Sequence, residues 1–106
     1  MDKKKCSPKK LRHFFVEISP EYPFKKAFLF GSRAWGKPRY DSDVDLLLVS
    51  EKFRKKERLD RSPPLYLKWN LEYPVDFLCL TPEEFEHKKK LIGIVQTAAK
   101  EGIRIV

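Results

Sequence analysis

A chain of 106 residues is the length of one domain, and with 42% hydrophobic and 13% aromatic residues it has enough apolar material for a packed core, which excludes a disordered polymer. No apolar run reaches the roughly 18 residues of a membrane span, and the basic start Met1 to Lys5 has no apolar stretch behind it, so neither a membrane protein nor a secreted one is predicted. The net charge of +8 points to anionic partners.

Ser7-Pro8 is a helix-start signal, and Leu11, Phe14, Phe15 and Ile18 follow at i, i+3, i+4, i+7, the apolar face of a helix that Ser19-Pro20 ends. Lys26 to Phe30 is a short apolar run stopped by Gly31, which suits a buried strand leading into a turn. Val44 to Val49, apolar on both faces, reads as a strand in the middle of a sheet. Residues 51 to 61 are highly charged and predict an exposed helix or loop. Ser62-Pro63-Pro64 can open a helix carrying Leu65, Tyr66 and Trp69, but Leu65, Leu67 and Trp69 also alternate as a strand would, so both forms stay open. Val75 to Leu80 is a third strand. Thr81-Pro82-Glu83-Glu84 is a capping box with proline at the first helical position. A further helix over 91–101 is predicted to end at Gly102, with Ile103 to Val106 a last short strand. Trp69, Tyr66 and Phe85 are assigned to the core. The whole of 1–106 reads as one domain, with 1–6 a flexible basic tail.

Cys6 and Cys79 have no C-x-x-C spacing and read as free thiols in a reducing cytoplasm. The basic residues form two clusters, Lys3 to Lys10 and Lys52 to Arg61, for which two readings stand: attraction of nucleic acid or nucleotide phosphates, or a solvated face that keeps the protein soluble. His13 and His87 lie in charged surroundings without ligand spacing and receive no catalytic role.

The chemistry is concentrated in Gly31-Ser32-Arg33-Ala34-Trp35-Gly36 and Asp41-Ser42-Asp43-Val44-Asp45-Leu46. Side chains alternate along a strand, so Asp43 and Asp45 project from one face. Two carboxylates beside an apolar core are costly unless a cation or hydrogen bonds compensate them, and magnesium favours hard carboxylate oxygens together with water and phosphate. Gly31-Ser32, placed where a strand gives way to a turn, can present backbone N–H groups to an anion. Glycine there allows close approach of a phosphate, and the Ser32 hydroxyl can bond its oxygens. Arg33 and Lys37 meet either phosphate or solvent.

The run G31-S-R-A-W-G36 followed by D41-S-D-V-D-L46 resembles the signature of the DNA polymerase beta-like nucleotidyltransferase superfamily, in particular its minimal nucleotidyltransferase branch. The resemblance implies that Gly31, Ser32 and Arg33 bind the triphosphate and that Asp43 and Asp45 hold two Mg2+ ions, for which Mn2+ can substitute. Asp76, in Pro74-Val75-Asp76-Phe77-Leu78, matches the third metal-site aspartate, so Asp43, Asp45 and Asp76 form the implied catalytic set. Thr81 to Phe85 and Ala98 to Ile103 also look like family sequence. Trp35 departs from the arginine or polar residue usual at its position, and either stacks on a base or packs.

The implied fold is a small α/β (α+β) domain: a mixed, twisted sheet, helices mainly on one face, and an open active-site edge. The implied activity is transfer of a nucleoside monophosphate, AMP from ATP by default, to a hydroxyl. Branch members resemble antitoxins encoded beside small helical HEPN-type toxins, some of which receive AMP on a tyrosine. A HEPN-type partner is therefore the expected context, with Lys52 to Arg61 and the aromatic residues near Trp35 as docking surfaces. A homodimer is the other assembly, and nucleic acid remains a possible partner. The competing function is a non-catalytic nucleotide-, RNA- or protein-binding module of the same fold; a metal-dependent phosphohydrolase is a weaker third.

Overall fold

The computed structural model describes residues 8–31, 44–71 and 73–106. Helix α1, Pro8–Ile18, buries the apolar face formed by Leu11, Phe14, Phe15 and Ile18 and leaves Val16 on the outside. It ends where the Ser19 hydroxyl donates to the Val16 carbonyl (3.0 Å) and the amides of Glu21 and Tyr22 return to the Ile18 carbonyl. The signal proposed at Ser7 lies outside the described residues.

Strands β1 (Phe24–Phe30) and β2 (Val44–Ser50) pair antiparallel, β3 (Val75–Leu80) joins β2 in parallel, and the two-residue β4 (Ile103–Arg104) pairs antiparallel with β1. The resulting order is β3-β2-β1-β4, a mixed sheet with β2 inside it, as its two-sided apolar pattern predicts. Alternation along the strands sends Ala27, Leu29, Val44, Leu46 and Leu48 into one apolar cluster and Phe28, Phe30, Leu47 and Val49 into another.

The first cluster carries most of the helical packing. There α1 is joined by the β2-to-β3 crossover, which contains a 3-10 turn (Glu51–Lys55) and two short helices, α2 (Arg58–Arg61) and α3 (Pro63–Lys68). Phe53 and Leu65 bring the crossover into that core. Phe85 from α4 (Pro82–Lys88) and Val95 and Ala98 from α5 (Ile94–Glu101) fill the smaller second cluster. This is the small α+β domain with a mixed sheet that was expected. Among the described residues no helix is long and apolar enough to cross a membrane.

Helix α3 settles the ambiguity after Ser62: two prolines in its first turn favour the helix over the strand. The capping box is formed, with the Glu84 amide donating to Thr81 Oγ1 (3.2 Å) and the Thr81 amide to Glu84 Oε1 (2.9 Å). Gly102 caps α5 in an extended conformation, its amide donating to the Ala98 carbonyl (2.9 Å), and a Cβ there would lie 2.4 Å from the Ala98 carbonyl oxygen and 2.8 Å from that of Leu29, so glycine lets α5 close onto β1.

Three local expectations are corrected. Residues 51–61 are charged but not wholly exposed, since Phe53 is fully buried and Arg61 is only 5% exposed. The last helix starts at Ile94 rather than at 91. Tyr66 is 42% exposed, not core; its ring meets the edge of Phe77 at 5.0 Å and its hydroxyl accepts from the Phe77 amide (3.4 Å). Trp69 is half-buried against Phe14 and Phe77 and donates from Nε1 to the Tyr73 carbonyl (2.7 Å), while Phe85 is buried as expected.

Cys79 is a free thiol, buried in β3, and burial pushes it up to about 12. Thiolate is the reactive form. In a Cys6→Ser background, iodoacetamide at pH 8 is therefore expected to label the folded protein negligibly over an hour and the urea-unfolded protein fully; rapid labelling of the folded form, read by mass, would contradict this burial.

Candidate active site

Three of the residues singled out in the sequence meet at one edge of the sheet. β1 ends at Phe30, which is paired with Asp45 of β2. Asp45 is in turn the parallel register partner of Asp76 on β3. Register partners on adjacent parallel strands project from the same face about 4.8 Å apart along the sheet, so the two carboxylates stand side by side. Leu47 and Val49, which follow Asp45 on that face, are buried. Asp45 is half-buried and Asp76 exposed, so the pair runs from the protein interior to solvent.

Gly31 completes the edge. It has φ +79°, a left-handed conformation that favours glycine. A Cβ built on it would fall 2.3 Å from Asp45 Oδ2. The carboxylate thus occupies the space a side chain at 31 would take, a closer constraint than approach by phosphate alone. Asp43, Ser32 and Arg33, together with Trp35, Lys37 and Asp41, lie outside the described residues.

The donor set suits a hard divalent cation. Adjacent carboxylates repel unless positive charge compensates them, their oxygens match magnesium or manganese, and the exposed side of Asp76 leaves room for water or substrate ligands. Among the described residues no group of three or more His, Cys, Asp or Glu side chains gathers as a metal site. Asp45 and Asp76 supply two carboxylates.

The basic segment Lys52 to Arg61 divides into two parts that its sequence does not separate. Arg54 binds Glu51 and Glu83, holding both carboxyls below their usual range, and Arg61 is buried against Glu84. Lys52, Lys55, Lys56 and Arg58 form no ion pair with a described residue. His13 forms an exposed i,i+4 pair with Glu17 (2.8 Å), in keeping with a surface role. The sequence singles out Gly31, Asp45 and Asp76 as candidates but not that Asp45 and Asp76 share a register position, nor that Gly31 clears the space for Asp45.

A model of the nucleotidyltransferase domain family matches residues 8–103. The chain belongs to this family. Nucleotidyltransferase architecture is also seen in the crystal structure of a candidate nucleotidyltransferase from Sulfolobus solfataricus, which is 22% identical and superposes with a TM-score of 0.63 over 92% of this chain and 77% of that one. At that identity the likeness is one of fold. No curated protein gives a significant match. Within a nucleotidyltransferase domain, paired carboxylates beside a glycine turn at the sheet edge form the natural place to look for the reaction.

Proposed function

We propose that this nucleotidyltransferase domain transfers a nucleoside monophosphate, AMP from ATP, to a hydroxyl acceptor, with Asp43, Asp45 and Asp76 holding Mg2+ or Mn2+ and with Gly31, Ser32 and Arg33 at the triphosphate. The observation that carries the reading is the register pairing of Asp45 with Asp76 beside the left-handed Gly31. Two bound magnesium ions would supply neutralisation of the triphosphate and acidification of the acceptor hydroxyl.

The chain's own residues have separate tasks in this scheme. Asp45, fixed between Gly31 and the neighbouring strand, orients its carboxylate. Asp76, on the solvent side, faces the acceptor and takes the hydroxyl proton on its carboxylate. The acceptor oxygen forms a bond to the α-phosphorus, the bond from that phosphorus to the bridging oxygen breaks, and pyrophosphate leaves with the electron pair. Catalysis here depends chiefly on positioning.

The biological setting we propose is that of the minimal branch: a cytoplasmic antitoxin that modifies a tyrosine of a small helical HEPN-type partner. Lys52, Lys55, Lys56 and Arg58 are the cations of the Lys52–Arg61 segment left to steer such a partner.

Calorimetry tests the site and mass spectrometry the reaction. ATP is expected to bind at least about tenfold more tightly with Mn2+ than without it, because metal and phosphate share ligands. Incubation with labelled ATP, Mg2+ and lysate of the source cell is expected to release pyrophosphate and add the mass of one nucleoside monophosphate to one protein. ATP affinity indifferent to metal would refute the metal site. A homodimer that labels only a small molecule would refute the protein acceptor, and binding without transfer would leave a binding module.

A further inference from the structure

The turn between α4 and α5 carries a surface that the proposed reaction does not use. Five consecutive residues, 90–94, are exposed, and three are large aliphatics: Leu91 at 51%, Ile92 at 98% and Ile94 at 59% exposure. Local folding does not require this display. A Cβ on Gly93 would meet nothing within 4 Å, so the turn stands clear of the body. Scattered exposed aliphatics are ordinary, but three within four residues form a patch that calls for a cover.

The patch holds a shallow hollow with Lys88 in its lining, and Lys90 lies on the neighbouring surface beside Glu83 and Glu86. Lys88, Leu91, Ile92, Gly93, Ile94 and Val95 line one cavity of about 190 Å³, a volume that admits one large apolar side chain. Lys88-Lys89-Lys90 leads into the turn. Of these, Lys89 is committed to Glu86 (2.8 Å) and to the face of Phe85 (5.5 Å), whereas Lys88 and Lys90 form no ion pair with a described residue. An occupant should therefore bring an apolar side chain for the cavity and negative charge for Lys88 in its lining and for the exposed Lys90 beside it.

We infer that this turn docks an acidic amphipathic segment of a partner protein, with one apolar side chain seated between Lys88 and Val95 and carboxylates against Lys88 and Lys90. A second copy fits poorly, because a two-fold contact brings Lys88 and Lys90 towards their own counterparts on a chain of net charge +8. Aliphatic walls offer no aromatic platform for nucleic-acid bases. A concave seat suits a protruding side chain, whereas a lipid surface suits a convex tip. An apolar helix face laid into such a groove is a common recognition mode. The inference is independent of nucleotide transfer.

The probe is a synthetic helical peptide with leucines on one face and glutamates on the other, titrated into the 15N-labelled protein. Saturable amide shifts concentrated at 88–95 are expected, together with a loss of affinity of at least about tenfold in Ile92→Ser and in Lys88→Glu/Lys90→Glu. Ile92 and Lys90 are exposed and Lys88 is half-buried with no ion pair to a described residue, so both variants are expected to keep the dispersed spectrum of the folded protein, and Lys90→Glu alone serves as the control for Lys88. A peptide with lysines in place of the glutamates should not bind, and Asp45→Asn should bind the acidic peptide as the natural sequence does, separating this surface from the aspartate site. The inference is overturned by an absence of localised shifts, by variants that bind unchanged, by concentration-dependent dimerisation that Ile92→Ser abolishes, or by phosphatidylserine vesicles that shift the same amides while the peptide does not.

Discussion

Gly31→Val is expected to abolish metal-dependent nucleotide binding while leaving a folded protein. The new side chain meets two penalties at once. At φ +79° a β-branched residue is strained, by about 1–3 kcal/mol, which lowers stability without exhausting the roughly 5–15 kcal/mol of a typical domain. Its Cβ also claims a position 2.3 Å from Asp45 Oδ2, so the carboxylate must move. On the proposal that Asp45 holds the metal, displacing it costs no less than losing a residue that merely orients a ligand, and an affinity loss of at least about 100-fold for Mn2+ with ATP is expected in calorimetry. Asp45→Asn, which keeps the shape and removes the charge, should reach the same loss without the strain. Gly31→Asn separates the two effects, since asparagine tolerates the left-handed conformation yet retains the Cβ. It should recover part of the stability lost in urea unfolding and none of the binding. Recovery of binding in Gly31→Asn would mean that contact with Asp45 is not what glycine provides.

The features legible in the sequence are those written in nearby residues. The i, i+3, i+4, i+7 spacing of Leu11 to Ile18 yields α1, the two-sided run at Val44 yields an interior strand, and Thr81 to Glu84 yields a helix start at Pro82. Gly31 and Asp45 stand out because a glycine ends one apolar run and a carboxylate sits at the start of another, and Asp76 stands out through the resemblance to the family signature. Their mutual placement was not legible, because the register of β2 against β3 is set by a crossover of some two dozen residues whose course no short spacing encodes. Long-range pairing also explains the misreading of residues 51–61. Phe53 and Arg61 look like neighbours of a solvated charge run, yet one reaches the core and the other a carboxylate 23 positions away. At 91–94 the apolar residues match a helix face by composition, but Leu91, Ile92 and Ile94 stay exposed, which fits partner recognition better than core packing.

Arg61 carries the largest expected effect on stability. Its side chain is 6% exposed and its guanidinium donates to four acceptors: the Lys56 carbonyl (3.1 Å), the Cys79 carbonyl (3.1 Å) and both oxygens of Glu84 (2.6 and 3.2 Å). It thereby ties the crossover to β3 and to the capping box of α4. Removing one member of a buried pair costs about 3–5 kcal/mol, and the 31% exposure of Glu84 lets water restore part of that, so Arg61→Met is expected to lose about 2–4 kcal/mol in urea unfolding at pH 7. The midpoint of thermal unfolding should fall by about 10 °C or more. Arg61→Lys should recover little, because an ammonium cannot match the planar fork that reaches carboxylate and carbonyls together. The acid limb supplies a second reading. Hydrogen bonding from Arg61, the leading cause, holds the Glu84 carboxyl below its usual 4.5. In the window between the lowered and the usual value the unfolded chain binds more protons, so stability rises with pH there, is complete above about 4.5, and is lost as pH falls through the lowered value. Arg61→Met should flatten that part of the stability profile, and Glu84→Gln should flatten it as well while retaining part of the cap. A loss below about 0.5 kcal/mol in Arg61→Met, the range of an ordinary surface substitution, would show that the guanidinium is not the tie described here.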